Sequence, residues 1–247
     1  MKISIIGRGN VGSHLHKAFT EAGMDTVLCD SREMKNLRES AIYIICVKDD
    51  VIGEVAEKLS VKLCEMSCGN NDIAEKALVV HTAGTKPMSL LDGKFQNYGV
   101  LYPMQTFSKE KELKYREIPI FLEANNEKGM AVLKELAEGA FENISVLTSA
   151  ERKVLHIAAV FTSNFTNHML TLADEQLQTI GLNYKVMLPL LKEVTDKLLH
   201  LPPQKAQTGP AIRKDLSVVN EHISLIEDPL TREIYKLVSE SIAAGEN

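Results

Sequence analysis

The sequence has few cysteines and lacks an arrangement of residues typical of a metal site. There are four cysteines in 247 residues. Cys29 and Cys46 lie in apolar runs typical of strands, where cysteine is usually a small buried hydrophobic residue. Cys64 and Cys68 are four residues apart, but no histidine or acidic cluster accompanies them. We therefore expect no bound metal.

Runs of one charge are missing as well. The 28 Lys and Arg residues face 33 Asp and Glu residues, the net charge is -5, and the basic residues are scattered, so nucleic acid is not an expected partner. The first residues do not show the basic, apolar and small-residue succession of a signal peptide, so we expect a cytoplasmic protein with reduced thiols. The content of 45% apolar and 25% charged residues is that of an ordinary globular protein.

Short apolar segments alternate with longer amphipathic segments through the first half of the chain. Seven of the apolar segments are typical of strands, at residues 3–6, 26–29, 42–47, 78–81, 100–102, 118–122 and 144–147. Between them, Val11, Leu15 and Phe19 follow helical spacing, as do the apolar residues within 51–59. This alternation predicts an α/β fold, a Rossmann-type, mainly parallel sheet with helices on both faces.

The strand-like segments stop near Thr148, and the pattern is then helical to the last residue. Prolines and glycines interrupt it around residues 202–210 and again at residue 229. We therefore predict a dinucleotide-binding domain at residues 1–148. An all-helical domain for substrate binding and dimerisation is predicted at residues 149–247.

The first helix of the second domain is uncharged, because residues 154–173 contain no Lys, Arg, Asp or Glu. Its histidines, asparagines and hydroxyls argue against a membrane span. At 100° per residue one stripe consists of His156, Val160, Ser163, Asn164, Asn167 and Thr171. The opposite face, predicted to be core, consists of Val154, Ala158, Phe161, Phe165 and Leu172. A solvated face normally carries Lys and Glu, so we predict that the polar stripe lines a cleft, with a subunit interface as the alternative.

A glycine-rich turn follows the first predicted strand and opens the first predicted helix. It is the segment Gly7, Arg8, Gly9, Asn10, Val11 and Gly12. In the pattern Gly-x-Gly-x-x-Gly, the first glycine permits a tight turn, the second lets the backbone approach a pyrophosphate, and the third lets helix and strand pack closely. The helix N-terminus adds free N–H groups. The segment predicts a dinucleotide phosphate site, and the motif alone leaves flavin as an alternative to nicotinamide.

The residues after the second predicted strand give conflicting indications about the cofactor. Asp30 could accept hydrogen bonds from both ribose hydroxyls, which favours NAD. Ser31 and Arg32 could hold the 2′-phosphate of NADP, with Arg8 as a second cation nearby. Because a carboxylate facing a phosphate is unfavourable, Asp30 has to point away if NADP binds. We predict NADP, with NAD as the alternative.

Three loops that follow predicted strands are candidates for contacts with the nicotinamide and the substrate. In an open parallel sheet the ligand binds beyond the carboxyl ends of the strands. Val47 follows the third predicted strand, Thr82 the fourth and Gln105 the fifth. We predict Val47 and Thr82 as cofactor contacts and Gln105 as a substrate contact.

Several segments together carry a family resemblance that covers nearly the whole chain. They are residues 3–12, the segment His81, Thr82, Ala83 and Gly84, residues 102–108, the segment Phe161, Thr162, Ser163 and Asn164, and residues 208–215. The chain resembles the Rossmann-like proteins with a C-terminal domain of unknown function numbered 2520, described as NADP oxidoreductases and related in their first half to the coenzyme F420-dependent NADP oxidoreductases. More distantly it is similar to pyrroline-5-carboxylate reductase and the 3-hydroxyacid dehydrogenases, whose second domains are helical and often dimerise.

The resemblance implies a Rossmann fold, NADP and a homodimer, but it supplies no substrate. Asp30 departs from the neutral residue expected before the Ser-Arg pair in NADP-preferring relatives. The catalytic lysine of the 3-hydroxyacid dehydrogenases has no counterpart on the uncharged helix, so their mechanism does not carry over.

Our leading hypothesis is an oxidoreductase that transfers hydride between the nicotinamide and a small carbonyl, imine or hydroxy compound held between the two domains. The reaction needs a proton donor, for which His81 and His156 are the candidates. Asn164 would orient the substrate carbonyl. The further substrate contacts are Gln105, Ser163, Asn167 and Arg213, with Asp215 fixing the Arg213 guanidinium. The alternative hypothesis is a dimeric protein that senses or carries a dinucleotide without turnover.

Overall fold

The strand-like segments of the first half form one seven-stranded sheet. The computed structural model describes residues 1–67 and 72–245. The strands are β1 (Lys2–Ile6), β2 (Asp25–Cys29), β3 (Ile42–Ile45), β4 (Leu78–His81), β5 (Asn97–Pro103), β6 (Ile120–Ala124) and β7 (Ile144–Val146). All seven predicted strands are present, and their ends differ from the predicted ends by at most three residues.

The sheet is mainly parallel, as predicted. The strand order is β2-β1-β3-β4-β5-β6-β7, and only the β5–β6 pair is antiparallel. The first five strands therefore run in one direction, and their carboxyl ends share one edge of the sheet. This edge is where an open parallel sheet binds its ligand.

Helices pack on both faces of the sheet, which confirms the predicted α/β layering. They are α1 (Asn10–Glu21), α2 (Ile52–Met66), α3 (Asp72–Lys76) and α4 (Glu127–Ala140), and the next helix along the chain is α5 (Ser149–Ala159). One core contains Ile5 of β1 together with Phe19 of α1 and Leu133 of α4, whereas the other contains Ile6 of β1 and Leu59 of α2. Successive strand residues point to opposite faces, so a strand with both faces covered has to be apolar throughout.

Helix α5 begins at a capping box. The Thr148 side chain accepts a hydrogen bond from the Glu151 backbone N–H, and the Glu151 carboxylate accepts one from the Thr148 backbone N–H at 2.8 Å. The chain nevertheless divides after Ser163 rather than at the predicted boundary after Thr148, into the units Met1–Ser163 and Asn164–Asn247. Helix α5 stays with the sheet because it contributes a buried arginine to the sheet unit, as described below.

The regular elements of the described part of the second unit are helical, in agreement with the sequence pattern. A π-helix, Val160–Phe165, crosses the division between the units, and it is followed by α6 (Thr166–Gln178), α7 (Leu188–Lys197), α8 (Pro203–Ala206), α9 (Leu216–Leu225) and α10 (Pro229–Ala244). Within residues 1–67 and 72–245, none of the helices is long and apolar enough to span a membrane.

The expected core face of the uncharged segment is exposed in the single chain. Val154 is 68% exposed, Phe161 63% and Phe165 46%, and Ala158 is also exposed. The prediction of a buried face was therefore wrong at these positions. Apolar spacing shows which side of a helix avoids water, but not whether the same chain provides the surface that covers it.

Candidate functional site

The backbone of the glycine turn leaves no room for a side chain at two of its three glycines, Gly7 and Gly12. Gly7 has φ +122°, its N–H donates to the Cys29 carbonyl at 2.9 Å, and a Cβ there would lie 2.1 Å from the Cys46 carbonyl oxygen. A Cβ on Gly12 would lie 1.9 Å from the Gly7 carbonyl oxygen. The first and third glycines thus allow the close packing of β1, α1 and the end of β3.

Gly9 has a different environment from its two neighbours. A Cβ on Gly9 would meet no protein atom within 4 Å, so the space beside it is open. Gly9 is the N-cap of α1, and no side chain caps that helix end. The first N–H groups of the helix are therefore left for a ligand, and an anion is the ligand that a helix N-terminus favours.

A cavity of about 780 Å³ lies at this edge of the sheet. Of the ten predicted cofactor contacts, all except Gly12 line it, namely Gly7, Arg8, Gly9, Asn10, Val11, Ser31, Arg32, Val47 and Thr82. Gly12 lies behind the turn and packs against Gly7. The structure therefore brings segments from four strand ends together around one space.

The charged residues that line the cavity are mostly cationic. Arg8, Arg32, Lys48 and Lys58 contribute positive charge, and Glu54 contributes a single carboxylate that accepts a hydrogen bond from Lys58 at 2.7 Å. Glu54 and Lys58 were missed by the sequence analysis because they lie within α2 rather than at a strand end. Their four-residue spacing on a helix that follows β3 was the available signal.

Asp30 does not face the cavity, because its carboxylate binds the loop that follows β2. Oδ1 accepts hydrogen bonds from the backbone N–H groups of Arg32 at 3.1 Å and Glu33 at 2.8 Å, and Oδ2 accepts one from Lys35 at 3.0 Å. The Glu33 N–H is the main reason that the pKa of Asp30 is lowered. Ser31 and Arg32 line the cavity instead. NADP binding required that Asp30 point away from the 2′-phosphate, and the structure meets this requirement.

Cys46 and Asn10 line the cavity but have structural interactions. Burial raises the pKa of the Cys46 thiol to about 12, so this thiol stays protonated and unreactive. The Asn10 side-chain amide donates to the Phe107 carbonyl at 2.8 Å. Asn10 thereby holds the loop after β5 against the N-terminus of α1.

His81, one of the two predicted proton donors, is not placed to donate a proton to a ligand. It is fully buried, its Nε2 lies 3.2 Å from the Pro87 carbonyl, and its Nδ1 accepts a hydrogen bond from the Ala83 N–H. Burial lowers the pKa of His81 to about 4. A neutral imidazole with both nitrogens bonded to backbone holds the loop after β4 and has no proton to transfer to a ligand.

His156, the other candidate, forms a hydrogen-bonded pair with Tyr102. Its Nδ1 lies 3.0 Å from the Tyr102 hydroxyl, at the end of β5, and the two rings meet edge to face. Gly84 lies beneath the pair, where a Cβ would be 2.5 Å from His156 Nδ1. The imidazole is partly exposed, and no described residue bonds its Nε2. Tyr102 lies at the end of the fifth predicted strand but is not among the predicted site residues.

A buried ion pair fixes the helix that carries His156. Arg152 is 1% exposed and forms a salt bridge with Glu123 of β6. Its Nε donates to the Ala83 carbonyl at 3.2 Å and its Nη2 to the Lys86 carbonyl at 2.6 Å. Glu123 also accepts from the Ser149 N–H at 2.8 Å. Arg152 and His156 are four residues apart on α5 and therefore share a face, so this network sets the position of the imidazole over Gly84.

The remaining predicted residues are not joined to this arrangement by the structure. Gln105 is exposed and accepts a hydrogen bond from the Thr106 N–H at 2.8 Å. Ser163 ends the first unit, whereas Asn164, Asn167 and Arg213 are exposed residues of the second. The predicted partner of Arg213 was wrong, because the Asp215 carboxylate instead caps α9 through the Val218 N–H. Of the two cysteines in the disfavoured metal site, Cys68 lies outside the described residues.

The chain has recognisable relatives in sequence and in structure. A family model described as "Domain of unknown function (DUF2520)" matches residues 118–242. The crystal structure of a "putative NADP oxidoreductase" from Bacteroides fragilis is 37% identical, with 98% of each chain covered and a TM-score of 0.83. A Thermotoga maritima protein is 21% identical over 99% of both chains, with a TM-score of 0.68.

More distant structures share the fold. A reductive aminase from Aspergillus terreus, in complex with NADPH and ethyl-5-oxohexanoate, is 14% identical, with 99% of this chain and 94% of that chain covered and a TM-score of 0.66. No curated protein matches the sequence.

Proposed function

The chain belongs to the DUF2520 family, and we propose that it is an NADP-dependent oxidoreductase that transfers hydride between the cofactor and a small carbonyl, imine or hydroxy compound. The observation that carries the proposal is the cavity in which the glycine turn, the uncapped N-terminus of α1 and four cationic side chains converge. The description of the 37% identical Bacteroides fragilis protein supports the same class of reaction.

The lining of the cavity supports NADP rather than NAD. A 2′-phosphate needs cations and hydrogen-bond donors, which Arg32, Ser31 and the nearby Arg8 provide. Neither arginine forms an ion pair within the described residues. NAD selection would need a carboxylate facing the ribose, and Asp30 is bonded to three backbone N–H groups of its own loop.

Open space lies where a side chain on Gly9 would stand, which supports a cofactor site beside this residue. The backbone N–H groups of the turn and of the first turn of α1 would hold the pyrophosphate. When bound, the nicotinamide supplies or accepts the hydride. The loop from Thr82 to Gly84 then links the two parts of the site, since Thr82 lines the cavity and Gly84 lies under His156.

We assign the proton transfer to His156, with Tyr102 as its partner. In its protonated form the imidazole donates from Nδ1 to the phenol oxygen, and Nε2–H is left for the reacting oxygen or nitrogen. Burial raises the pKa of Tyr102, so the phenol stays neutral and accepts the hydrogen bond from Nδ1–H both before and after His156 gives up the Nε2 proton. Asn164, Gln105, Ser163, Asn167 and Arg213 stay predicted substrate contacts.

Titration with NADPH tests the phosphate site directly. We expect the purified chain to bind NADPH, and we expect Gly9→Ala to weaken binding by about a kcal/mol or more, which is roughly fivefold to tenfold in Kd. The added methyl group enters ligand space and meets no protein atom within 4 Å, so the unfolding midpoint should stay unchanged. Gly23→Ala is an informative contrast, because a Cβ there also has open space but φ is +77°. It should lower stability and leave the Kd unchanged.

Unchanged NADPH affinity in Gly9→Ala would contradict the assigned role of the turn. Turnover is then tested by following NADPH oxidation with a panel of 2-oxo acids, aldehydes, cyclic imines and ketone–amine mixtures. Oxidation with one of these classes supports the proposal. Tight NADPH binding without oxidation across the panel would instead favour a protein that senses or carries the dinucleotide.

We further propose that the chain forms a homodimer through its second unit. Within residues 164–245 only Leu177, Val219, Ile226 and Thr231 are buried, although a folded unit of this size normally buries more than half of the surface of its chain. Helix α7 has no buried residue. Three of its large apolar side chains, Leu188, Leu190 and Val194, are 46–62% exposed, and Leu190 and Val194 lie one turn apart.

A second copy of the chain is the occupant that this surface favours. Monomers rarely expose contiguous apolar patches larger than a few hundred Å², and a homodimer buries a self-complementary apolar surface without any further partner. Light scattering should give twice the mass of one chain for the wild type and one chain mass for Leu190→Glu/Val194→Glu. Lys192→Glu/Thr195→Glu also places two glutamates on α7, at exposed polar positions and with a larger change in net charge, and should stay dimeric. A monomeric wild type at micromolar concentration would contradict the proposal.

A further inference from the structure

The loop that follows β2 has an unusual backbone for a segment without glycine. Met34 has φ +52° and Asn36 has φ +68°, although side chains make the left-handed region unfavourable for residues other than glycine. Two such residues within three positions need interactions that hold the loop in place. Two anchors are present, the buried side chain of Met34 and the carboxylate of Asp30.

The Asp30 carboxylate binds three backbone N–H groups within the next five residues. The bonds from Arg32 and Glu33 reach Oδ1, and the bond from Lys35 reaches Oδ2. Both oxygens are thus occupied, and the bonded backbone includes the amide of Arg32 itself. The carboxylate therefore determines where the loop presents its side chains to the cavity.

We propose that Asp30 is a positioning residue for NADP selectivity, which holds the loop so that Ser31 and Arg32 present their side chains to the 2′-phosphate. This inference rests on the proposed function. It reverses the usual meaning of an acidic residue after the second strand, which is to bind the ribose hydroxyls of NAD and to disfavour a 2′-phosphate. Here the negative charge is neutralised by backbone donors and by the nearby Arg8, so it does not oppose the phosphate.

The two interpretations of Asp30, as a ribose contact and as a residue that holds the loop, predict opposite changes in the Kd of NADPH when Asp30 is replaced. If Asp30 faced the ribose, Asp30→Ala would remove a repulsive charge, tighten NADPH and weaken NADH. If Asp30 holds the loop, Asp30→Ala removes all three acceptors and should raise the Kd of NADPH by about tenfold or more. The Kd of NADH, which has no 2′-phosphate, should change by less than about threefold. Asp30→Asn retains Oδ1 but loses the acceptor for Lys35, so its effect should be intermediate.

Two control variants separate position from charge. Glu33→Gln removes one negative charge from the same loop, and the Glu33 side chain is 66% exposed and, among the described residues, pairs only with Lys35. It should leave the NADPH Kd within about twofold of wild type or tighten it slightly, because salt bridges at exposed sites contribute little. Arg32→Gln should weaken NADPH and adenosine 2′,5′-bisphosphate while leaving NADH and AMP unaffected. That result identifies the side chain that Asp30 positions.

The outcomes also separate this inference from the proposed function. A wild-type chain that binds neither NADPH nor adenosine 2′,5′-bisphosphate overturns both. A wild-type chain that binds NADPH, together with an Asp30→Ala variant that binds it equally or more tightly, overturns the positioning role alone. Weakening of NADPH and NADH by the same factor in Asp30→Ala would also overturn it, because selectivity would then not depend on Asp30.

Discussion

Glu123→Leu is expected to lower the free energy of unfolding by about 3–5 kcal/mol, because it leaves the Arg152 guanidinium buried without a counter-charge. Arg152 is 1% exposed and Glu123 12%, so water cannot replace the lost carboxylate. The Ser149 N–H and hydroxyl also lose their acceptor. Urea unfolding of the purified variant gives the change.

A surface ion pair provides the matched control. Arg116 and Glu142 form a salt bridge at 2.7 Å, but their side chains are 61% and 58% exposed. Glu142→Leu should therefore cost less than about 1 kcal/mol. If the two leucine variants lose equal stability, the Arg152–Glu123 pair has no special weight in the fold.

The double variant Arg152→Met/Glu123→Leu measures the coupling between the two groups. Its loss of stability should be smaller than the sum of the losses in the single variants, since no charge is then left buried. It should stay less stable than the wild type because the Ala83 and Lys86 carbonyls lose their donor. Additive losses would show that the pair does not act as a unit.

The sheet and the glycine turn could be predicted because their sequence signals are local. A strand covered on both faces is apolar throughout, so the segment at residues 42–45 indicates its own structure. Gly7 and Gly12 are needed where a Cβ would collide with backbone 2.1 and 1.9 Å away, and the spacing of the glycines reports that geometry. Both signals depend on a few neighbouring residues.

The network behind the proposed proton donor could not be predicted, because it joins residues that are distant in sequence. Arg152 bonds to Glu123, which is 29 residues away, and to the carbonyls of Ala83 and Lys86, which are 69 and 66 residues away. His81 and His156 look alike as sequence candidates. Burial and two backbone bonds distinguish His81, whereas contact with a tyrosine hydroxyl distinguishes His156.

The cofactor preference lies between these two cases. Asp30, Ser31 and Arg32 are adjacent in sequence, and the composition of this segment is compatible with both nicotinamide cofactors. In our proposal the direction of the Asp30 carboxylate decides between the two cofactors, and that direction follows from its hydrogen bonds to the backbone as far as Lys35. A local motif can thus leave a question open that a few local hydrogen bonds answer.

His156→Asn is expected to lower kcat by about 10²- to 10⁴-fold, the usual contribution of a positioned general acid. The rate is measured with the carbonyl or imine compound of the substrate panel that the wild type reduces fastest. Asparagine cannot carry a transferable proton, but it retains polar atoms near Tyr102, so the Kd of NADPH should not change.

Tyr102→Phe removes only the partner of His156 Nδ1. It should reduce kcat less, because the imidazole keeps its transferable proton and loses only the hydroxyl that orients it.

His168→Asn is the control, because it makes the same chemical change at another position. His168 is an exposed histidine of α6. It should keep wild-type kcat. If His156→Asn retains activity while binding NADPH normally, the proton comes from another group and the assignment to His156 is wrong. If Tyr102→Phe leaves kcat unchanged, Tyr102 supports the packing over Gly84 and takes no part in proton transfer.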